Sequence, residues 1–103
     1  ADIKLPEIQI KNALSASAAS EPVKVQIAGE PEISLKFHDV YKWNVTRNEK
    51  LNSTASFGPK TANWYAFDPS SDAGHAINYQ LITSYGIYQS FDNKTFELKA
   101  EWD

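Results

Sequence analysis

Chemically reactive side chains are concentrated between residues 61 and 81, in the stretch TANWYAFDPSSDAGHAINYQL. The carboxylates of Asp68 and Asp72 stand close in sequence to the imidazole of His75. Groups of this kind could perform acid–base catalysis, complete a nucleophilic triad with Ser71, or bind a metal ion through oxygen and nitrogen. The spacing of the residues decides among these chemistries.

The spacing argues against catalysis. The chain has no Gly-x-Ser-x-Gly elbow, no glycine-rich phosphate loop and no His-Glu-x-x-His motif. Residues as close in sequence as Ser71, Asp72 and His75 rarely reach triad geometry. We therefore expect no enzymatic activity and no cofactor, and we interpret Asp68 as the acceptor of an Asx turn.

The same residues match no strong metal motif. An EF-hand loop would place oxygen ligands at alternate positions and end on a glutamate, whereas serines stand at positions 70 and 71 and no such glutamate follows. We expect no metal, with a weak calcium site on Asp68, Asp72 and His75 as the remaining alternative.

Aromatic side chains are the most unusual feature of this stretch. Trp64 and Tyr65 are adjacent, so in a strand they point to opposite faces and one of them is exposed. Sugar-binding sites combine an exposed ring, which covers the apolar face of a pyranose, with a few polar groups that bind its hydroxyls. We predict a ligand-binding site for glycan or glycoprotein, with ordinary sheet decoration as the alternative. Its residues are Trp64, Tyr65, Asp68, Asp72 and His75.

The elements that must position this site are strands, because the dominant hydrophobic period is two. Clear alternation occurs in VKVQI, EISLKF, YKWNVT, INYQLI and TFELKAEW. In INYQLI, the alternation places Ile77, Tyr79 and Leu81 on one face, which we expect to be the core face. In TFELKAEW, it places the residues from Phe96 to Trp102 at even positions on a single face.

Turn signals separate these runs at short and fairly even intervals, as at Gly58-Pro59 and Asp68-Pro69. The pattern predicts an all-β fold: a single-domain antiparallel β-sandwich over residues 1–103, immunoglobulin-like, with about seven strands. Within residues 32–46, the sequence leaves open whether one long bulged strand or two strands are present.

The first strand suggests a second function. Pro6 cannot donate to a sheet ladder, so it favours an edge strand over residues 3–10. Edge strands can add to a neighbouring molecule. The alternative prediction is therefore a structural subunit, fimbrial or strand-swapped, that assembles as a homo-oligomer through this edge.

Composition narrows the partners and the location. The net charge is -3 and the ten basic residues form no run, which argues against a nucleic-acid partner. No apolar run is long enough for a membrane span. Ala1 is of the type that follows a signal-peptidase cut, so we expect a secreted or cell-surface protein. In such a setting, Asn44, Asn52 and Asn93 stand in sequons for N-glycosylation.

Two short stretches resemble parts of known families. The closing stretch YGIYQSFDNKTFELKAEWD resembles the final hairpin of bacterial fimbrial subunits, where an aromatic residue after glycine precedes an alternating last strand. INYQLITSYGI followed by NKTFEL resembles part of the small fungal immunomodulatory lectins, which are cysteine-poor immunoglobulin-like dimers. Each resemblance covers a quarter of the chain or less and assigns no site residues.

Overall fold

The computed structural model describes residues 5–14, 22–72 and 74–103. These residues form an all-β fold of nine strands in two sheets, with one single-turn helix. Within the described residues, no helix is long and apolar enough to cross a membrane. In chain order, the elements are β1 (Glu7–Asn12), β2 (Val23–Ile27), β3 (Ile33–Leu35), β4 (Val40–Asn44), β5 (Leu51–Phe57), β6 (Lys60–Phe67), α1 (Pro69–Asp72), β7 (Ile77–Thr83), β8 (Gly86–Ser90) and β9 (Glu97–Ala100).

The two sheets have the spatial orders β4-β1-β7-β8-β9 and β3-β2-β5-β6. Their inward faces share one hydrophobic core, which makes the arrangement compatible with a β-sandwich. The predicted count of about seven strands was too low. The prediction of a purely antiparallel fold was also wrong, because β1 runs parallel to β7.

β5 shows why the hydrophobic pattern underestimated the number of strands. Its inward positions are Leu51, Ser53 and Ala55, all buried, and two of these three side chains are small. The Ser53 hydroxyl donates a hydrogen bond to the backbone carbonyl of Trp64 at 2.8 Å, so a polar residue sits inside at little cost. The alternation of β5 is real but carries a weak hydrophobic signal.

The first strand is not an edge in the described residues. β1 pairs with β4 on one side and with β7 on the other, so the edge-strand prediction was wrong for residues 7–10. Pro6 fits because its missing N–H is not required, while its carbonyl accepts a hydrogen bond from Val45 N–H at 3.1 Å. Ile3, the first residue of that prediction, lies outside the described residues.

Residues 32–46 form two strands rather than one, since β3 and β4 belong to different sheets. The chain turns between them at His38, which has a φ of 70°. The carboxylate of Asp39 accepts a hydrogen bond from the backbone N–H of Lys36 at 2.9 Å and closes this turn.

β7 has the opposite orientation to the one predicted. Asn78 and Gln80 are buried between the sheets, whereas Ile77, Tyr79 and Leu81 lie half-buried on the outer face of the five-stranded sheet. The amides can occupy the interior because backbone and side-chain groups of β6 satisfy Gln80 fully and Asn78 in part.

The last strand changes face partway along. A register shift in the pairing of β8 with β9 places Leu98 opposite Tyr88 but Ala100 opposite Ile87. Leu98 is therefore exposed on the outer face, while Ala100 and Trp102 pack against the core. The prediction of a single face from Phe96 to Trp102 was wrong, because a bulge inserts an extra residue into the alternation.

Candidate functional site

A pocket of about 260 Å³ opens between β6, at the edge of the four-stranded sheet, and strands β8 and β9 of the facing sheet. Its lining residues are Asn63, Trp64, Tyr65, Asp68, Ser71, Asp72, Gln89 and Lys99. The structure thus brings together four of the five residues of the predicted site.

Trp64 and Tyr65 face opposite ways from β6, as their adjacency predicts. Tyr65 is 47% exposed, and the Lys50 ammonium lies 5.0 Å from its ring centroid. Trp64 is only 6% exposed, and its indole N–H donates to the side-chain oxygen of Gln80 at 2.7 Å. Tyr65 therefore offers an accessible ring to a ligand, whereas Trp64 is part of the pocket wall and of the core.

The segment after β6 folds through its own side chains. The Asp68 carboxylate accepts hydrogen bonds from the N–H of Ser70 at 3.0 Å and from its hydroxyl at 2.8 Å, which is the expected Asx turn. Pro69 begins α1, where its fixed φ and missing N–H are tolerated. Asp72 completes the turn, since its carboxylate accepts the Asp68 N–H at 2.8 Å. The two carboxylates are thereby held in fixed positions.

Asp68 is a stable anion in this setting. The hydrogen bond from the Ser70 hydroxyl, followed by that from the Ser70 N–H, lowers the pKa of Asp68 below its ordinary value. The positive charges of Lys50 and Lys99 act in the same direction. The pocket mouth thus combines a carboxylate and an ammonium group beside an aromatic ring.

The pocket has a polar floor. Asp72 is 3% exposed and Gln89 is 7% exposed, and the Gln89 amide nitrogen lies 3.4 Å from the Asp72 carboxylate. The Ser71 hydroxyl donates to the same carboxylate oxygen at 3.0 Å. Buried polar groups that are already hydrogen-bonded hold their geometry well, so the floor is preorganised.

His75 is placed elsewhere. Its ring stacks on Phe91, with centroids 3.7 Å apart and planes within 10°, and it does not line the pocket. Among the described residues, no three His, Cys, Asp or Glu side chains are grouped so that they could hold a metal ion. The pocket therefore presents hydrogen-bonding groups and a ring, with the imidazole outside it.

The sequence did not single out Gln89 or Lys99. Gln89 belongs to β8 and Lys99 to β9, far along the chain from Tyr65. Only the pairing of β8 with both β7 and β9 carries them to the edge that faces β6. Gln89 follows Tyr88 in β8 and is buried. A period-two pattern alone cannot distinguish such a buried polar position from an exposed one.

Comparisons of this chain with protein-family models, with curated proteins and with solved structures found no match.

Proposed function

We propose that this protein is a secreted or cell-surface binding module, without enzymatic activity, that recognises glycan or glycoprotein in the pocket beside Tyr65. The observation that carries the proposal is the exposed Tyr65 ring at a pocket whose other lining groups are mostly polar. An aromatic ring with convergent polar groups suits a ligand that has both apolar C–H faces and hydroxyl groups.

The size of the pocket favours a small ligand unit. Its volume of about 260 Å³ is just below the range of about 300–1,000 Å³ for drug-sized ligands. Lys50 lies over one face of Tyr65, which leaves the other face for the ligand. Asn63, Asp68 and Lys99 supply donors and acceptors around the ring, so a single sugar residue of a longer glycan fits this arrangement.

The Asp68 carboxylate favours binding rather than general-acid catalysis. A glycosidase needs one carboxylic acid with a raised pKa to protonate the leaving oxygen. Asp68 has a lowered pKa, and its carboxylate is held by Ser70. Both features favour a permanent acceptor for sugar hydroxyls.

Surface features support the proposed location. Asn44, Asn52 and Asn93 are all exposed, so a glycosylation enzyme could reach each sequon.

The proposal includes an immunoglobulin-like topology. Its support is the division of nine strands into sheets of five and four, the same numbers as in a variable-type immunoglobulin domain.

The alternative function, a structural subunit that assembles through its N-terminal edge, has less support. Both sides of β1 are already paired within the described residues. Assembly by strand addition would have to use one of the edge strands β3, β4, β6 or β9, of which β6 and β9 meet at the pocket.

A glycan array compares the wild-type chain with Tyr65→Ala and with Tyr85→Ala as a matched control. Tyr85 is 78% exposed in the turn between β7 and β8, away from the pocket lining. A stacked aromatic ring typically contributes about 0.5–1.5 kcal/mol beyond the area it buries, so Tyr65→Ala should weaken binding by about fivefold or more. Tyr85→Ala should bind like the wild type.

Asp68→Asn provides a second test of the same site. The substitution keeps the shape of the side chain but removes its negative charge. The side chain then accepts weaker hydrogen bonds from hydroxyl groups, so binding should fall again. Trp64→Ala is unsuitable because Trp64 is part of the core. A blank array, or binding that survives Tyr65→Ala unchanged, would contradict the proposal.

A further inference from the structure

The outer face of the five-stranded sheet is divided into an apolar half and a charged half. On β7 and β8, the outward side chains are mostly apolar, among them Tyr79, Leu81 and Tyr88. On β1 and β4, the outward side chains other than Val40 are polar or charged: Glu7, Gln9, Lys11, Lys42 and Asn44. The two halves meet where β1 pairs with β7. A ligand that lies across this boundary meets apolar surface on one side and charge on the other.

A groove of about 290 Å³ crosses the boundary. Its apolar lining comes from Tyr79 and Leu81 of β7, from Phe96 in the connection between β8 and β9, and from Val40 of β4. Lys11 of β1 lines the same groove and is paired with both Leu81 and Val40 in the sheet register. An apolar cavity of about 150 Å³ takes benzene, so the groove can hold one ring and a short polar arm.

Lys11 carries the only charge among the lining residues of this groove. Its side chain is half-buried, and no carboxylate of the described residues lies within ion-pair distance of it. Glu7, the nearest acidic residue along β1, is four positions away, which is about 13 Å in a strand. Partial burial makes a charge without a counter-ion costly, so an anion in the groove would lower that cost.

The acidic residues of the loops beside the groove are Asp39 and Asp92, and neither of them lines it. Each carboxylate accepts hydrogen bonds from backbone N–H groups of its own turn, at 2.9 Å for Asp39 and from 2.8 Å for Asp92. Lys42, in contrast, is the outward neighbour of Gln9, which does line the groove. The charges closest to the groove are therefore positive.

We propose that this groove is a second binding site and that its ligand is a small aromatic carboxylate, a single ring with a short carboxylate arm. The ring packs among Tyr79, Leu81 and Phe96, where contacts between aromatic rings add to the burial of apolar surface. The carboxylate accepts a charge-assisted hydrogen bond from the Lys11 ammonium. One ammonium matches one negative charge, which favours a carboxylate over a phosphate with its charge of about -2. The groove shares no lining residue with the pocket beside Tyr65.

Phenylacetate and its neutral isostere phenylacetamide separate the contribution of the ring from that of the charge. The unglycosylated chain is used, because Asn93 stands in a sequon and lines the groove. Titration followed by the amide NMR signals of the chain should shift the signals of β1, β7 and residues 93–96. The dissociation constant of phenylacetate should be about 0.1–1 mM, as expected for a ligand of this size. Phenylacetamide should bind in the same place about fivefold more weakly, because it cannot pair with the Lys11 ammonium.

Three variants assign the two contributions. Lys11→Met keeps the aliphatic stem and removes the charge, so it should weaken phenylacetate by about fivefold and leave phenylacetamide unchanged. Lys24→Met, on the outer face of the other sheet, is the matched control and should change neither affinity. Leu81→Thr should weaken both probes by a similar factor, because it removes apolar lining with a residue that suits a strand. Urea midpoints confirm that each variant is folded.

Four results would overturn the proposal. They are no binding of phenylacetate up to about 10 mM, equal affinities for the two probes in the wild type, a preference for phenylacetate that survives Lys11→Met, and signal shifts confined to the pocket beside Tyr65. None of these depends on whether Tyr65 binds a glycan, so the two proposals fail separately.

Discussion

The buried amide of Gln80 links the two sheets, and its replacement is the most informative perturbation of this fold. Its side-chain oxygen accepts the Trp64 indole N–H at 2.7 Å, and its nitrogen donates to the Ala66 carbonyl at 2.8 Å. Gln80 is 1% exposed. Gln80→Met keeps the length of the side chain and removes both hydrogen bonds.

The neighbouring inward residue of β7 is the matched control. Asn78 is fully buried, but its side-chain oxygen has no hydrogen-bond partner among the described residues. Its nitrogen lies 3.5 Å from the same Ala66 carbonyl, a distance at which a hydrogen bond is weak. Asn78→Val therefore removes an unsatisfied acceptor and strands no strong donor.

The two substitutions should have different effects on the free energy of unfolding, which Gln80→Met lowers and Asn78→Val leaves unchanged or raises. Gln80→Met leaves the Trp64 indole N–H unpaired in the interior, and it leaves the Ala66 carbonyl with only the long contact from Asn78. Each of these two losses lowers the free energy of unfolding by about 2 kcal/mol. Burial of the methionine offsets about 2 kcal/mol, so the net loss is about 2 kcal/mol. Asn78→Val should be neutral or stabilise the fold by up to about 1 kcal/mol, because only an unpaired acceptor and a long contact are lost.

Urea unfolding followed by far-ultraviolet circular dichroism measures both effects without relying on Trp64 fluorescence. Gln80→Met should lower the urea midpoint by about 1 M at an unchanged slope. A Gln80→Met protein as stable as the wild type would refute this reasoning. So would an Asn78→Val protein that loses more stability than Gln80→Met.

Two further predictions concern the turns. Gly86→Ala should destabilise the protein by more than about 2 kcal/mol, because Gly86 has a φ of 146° and a Cβ there would overlap the Ala100 carbonyl oxygen. Gly58→Ala, at a φ of 57° with open space around it, should cost only about 1 kcal/mol in the same unfolding assay. The Asp92 carboxylate accepts hydrogen bonds from the Thr95 N–H, which has the largest effect on its pKa, and from the Ser90 hydroxyl. These bonds lower the pKa of Asp92 to about 2. Since the folded pKa is below the unfolded one, this stabilisation is present above about pH 4 and is lost toward pH 2. Asp92→Asn should therefore be less stable than the wild type at about pH 5 and closer to it at about pH 2.5, and an equal difference at both values would contradict the assignment.

Local chemistry made part of this molecule predictable. The strand β2 follows from VKVQI because its alternation is unbroken, and Val23, Val25 and Ile27 are all buried as that pattern indicates. The Asx turn at Asp68 follows from residue types alone, since a carboxylate two positions before Ser70 can reach its N–H. Of the five residues predicted for the candidate site, the four that lie between Trp64 and Asp72 line one pocket.

His75 marks the limit of that local reasoning. It stands three positions after Asp72 in the sequence, yet its ring stacks on Phe91 instead of facing the pocket. Gln89 and Lys99 are distant in sequence but complete the pocket. Proximity in the chain and proximity in space diverge wherever a new strand begins, because each strand is placed by its sheet partners.

The sequence by itself determined that the protein is all-β, where its clearest strands and turns lie, and, in strands without a bulge, which residues share a face. A period of two carries that information because alternate side chains point to opposite faces. It cannot state which face is inside. The tertiary structure decided that Asn78 and Gln80 point inward, because the facing strand β6 offers Gln80 hydrogen-bond partners that compensate its burial. It also decided that β1 lies between β4 and β7, since β1 is about 30–40 residues from β4 and about 70 residues from β7 in the chain, and such pairing depends on long-range contacts.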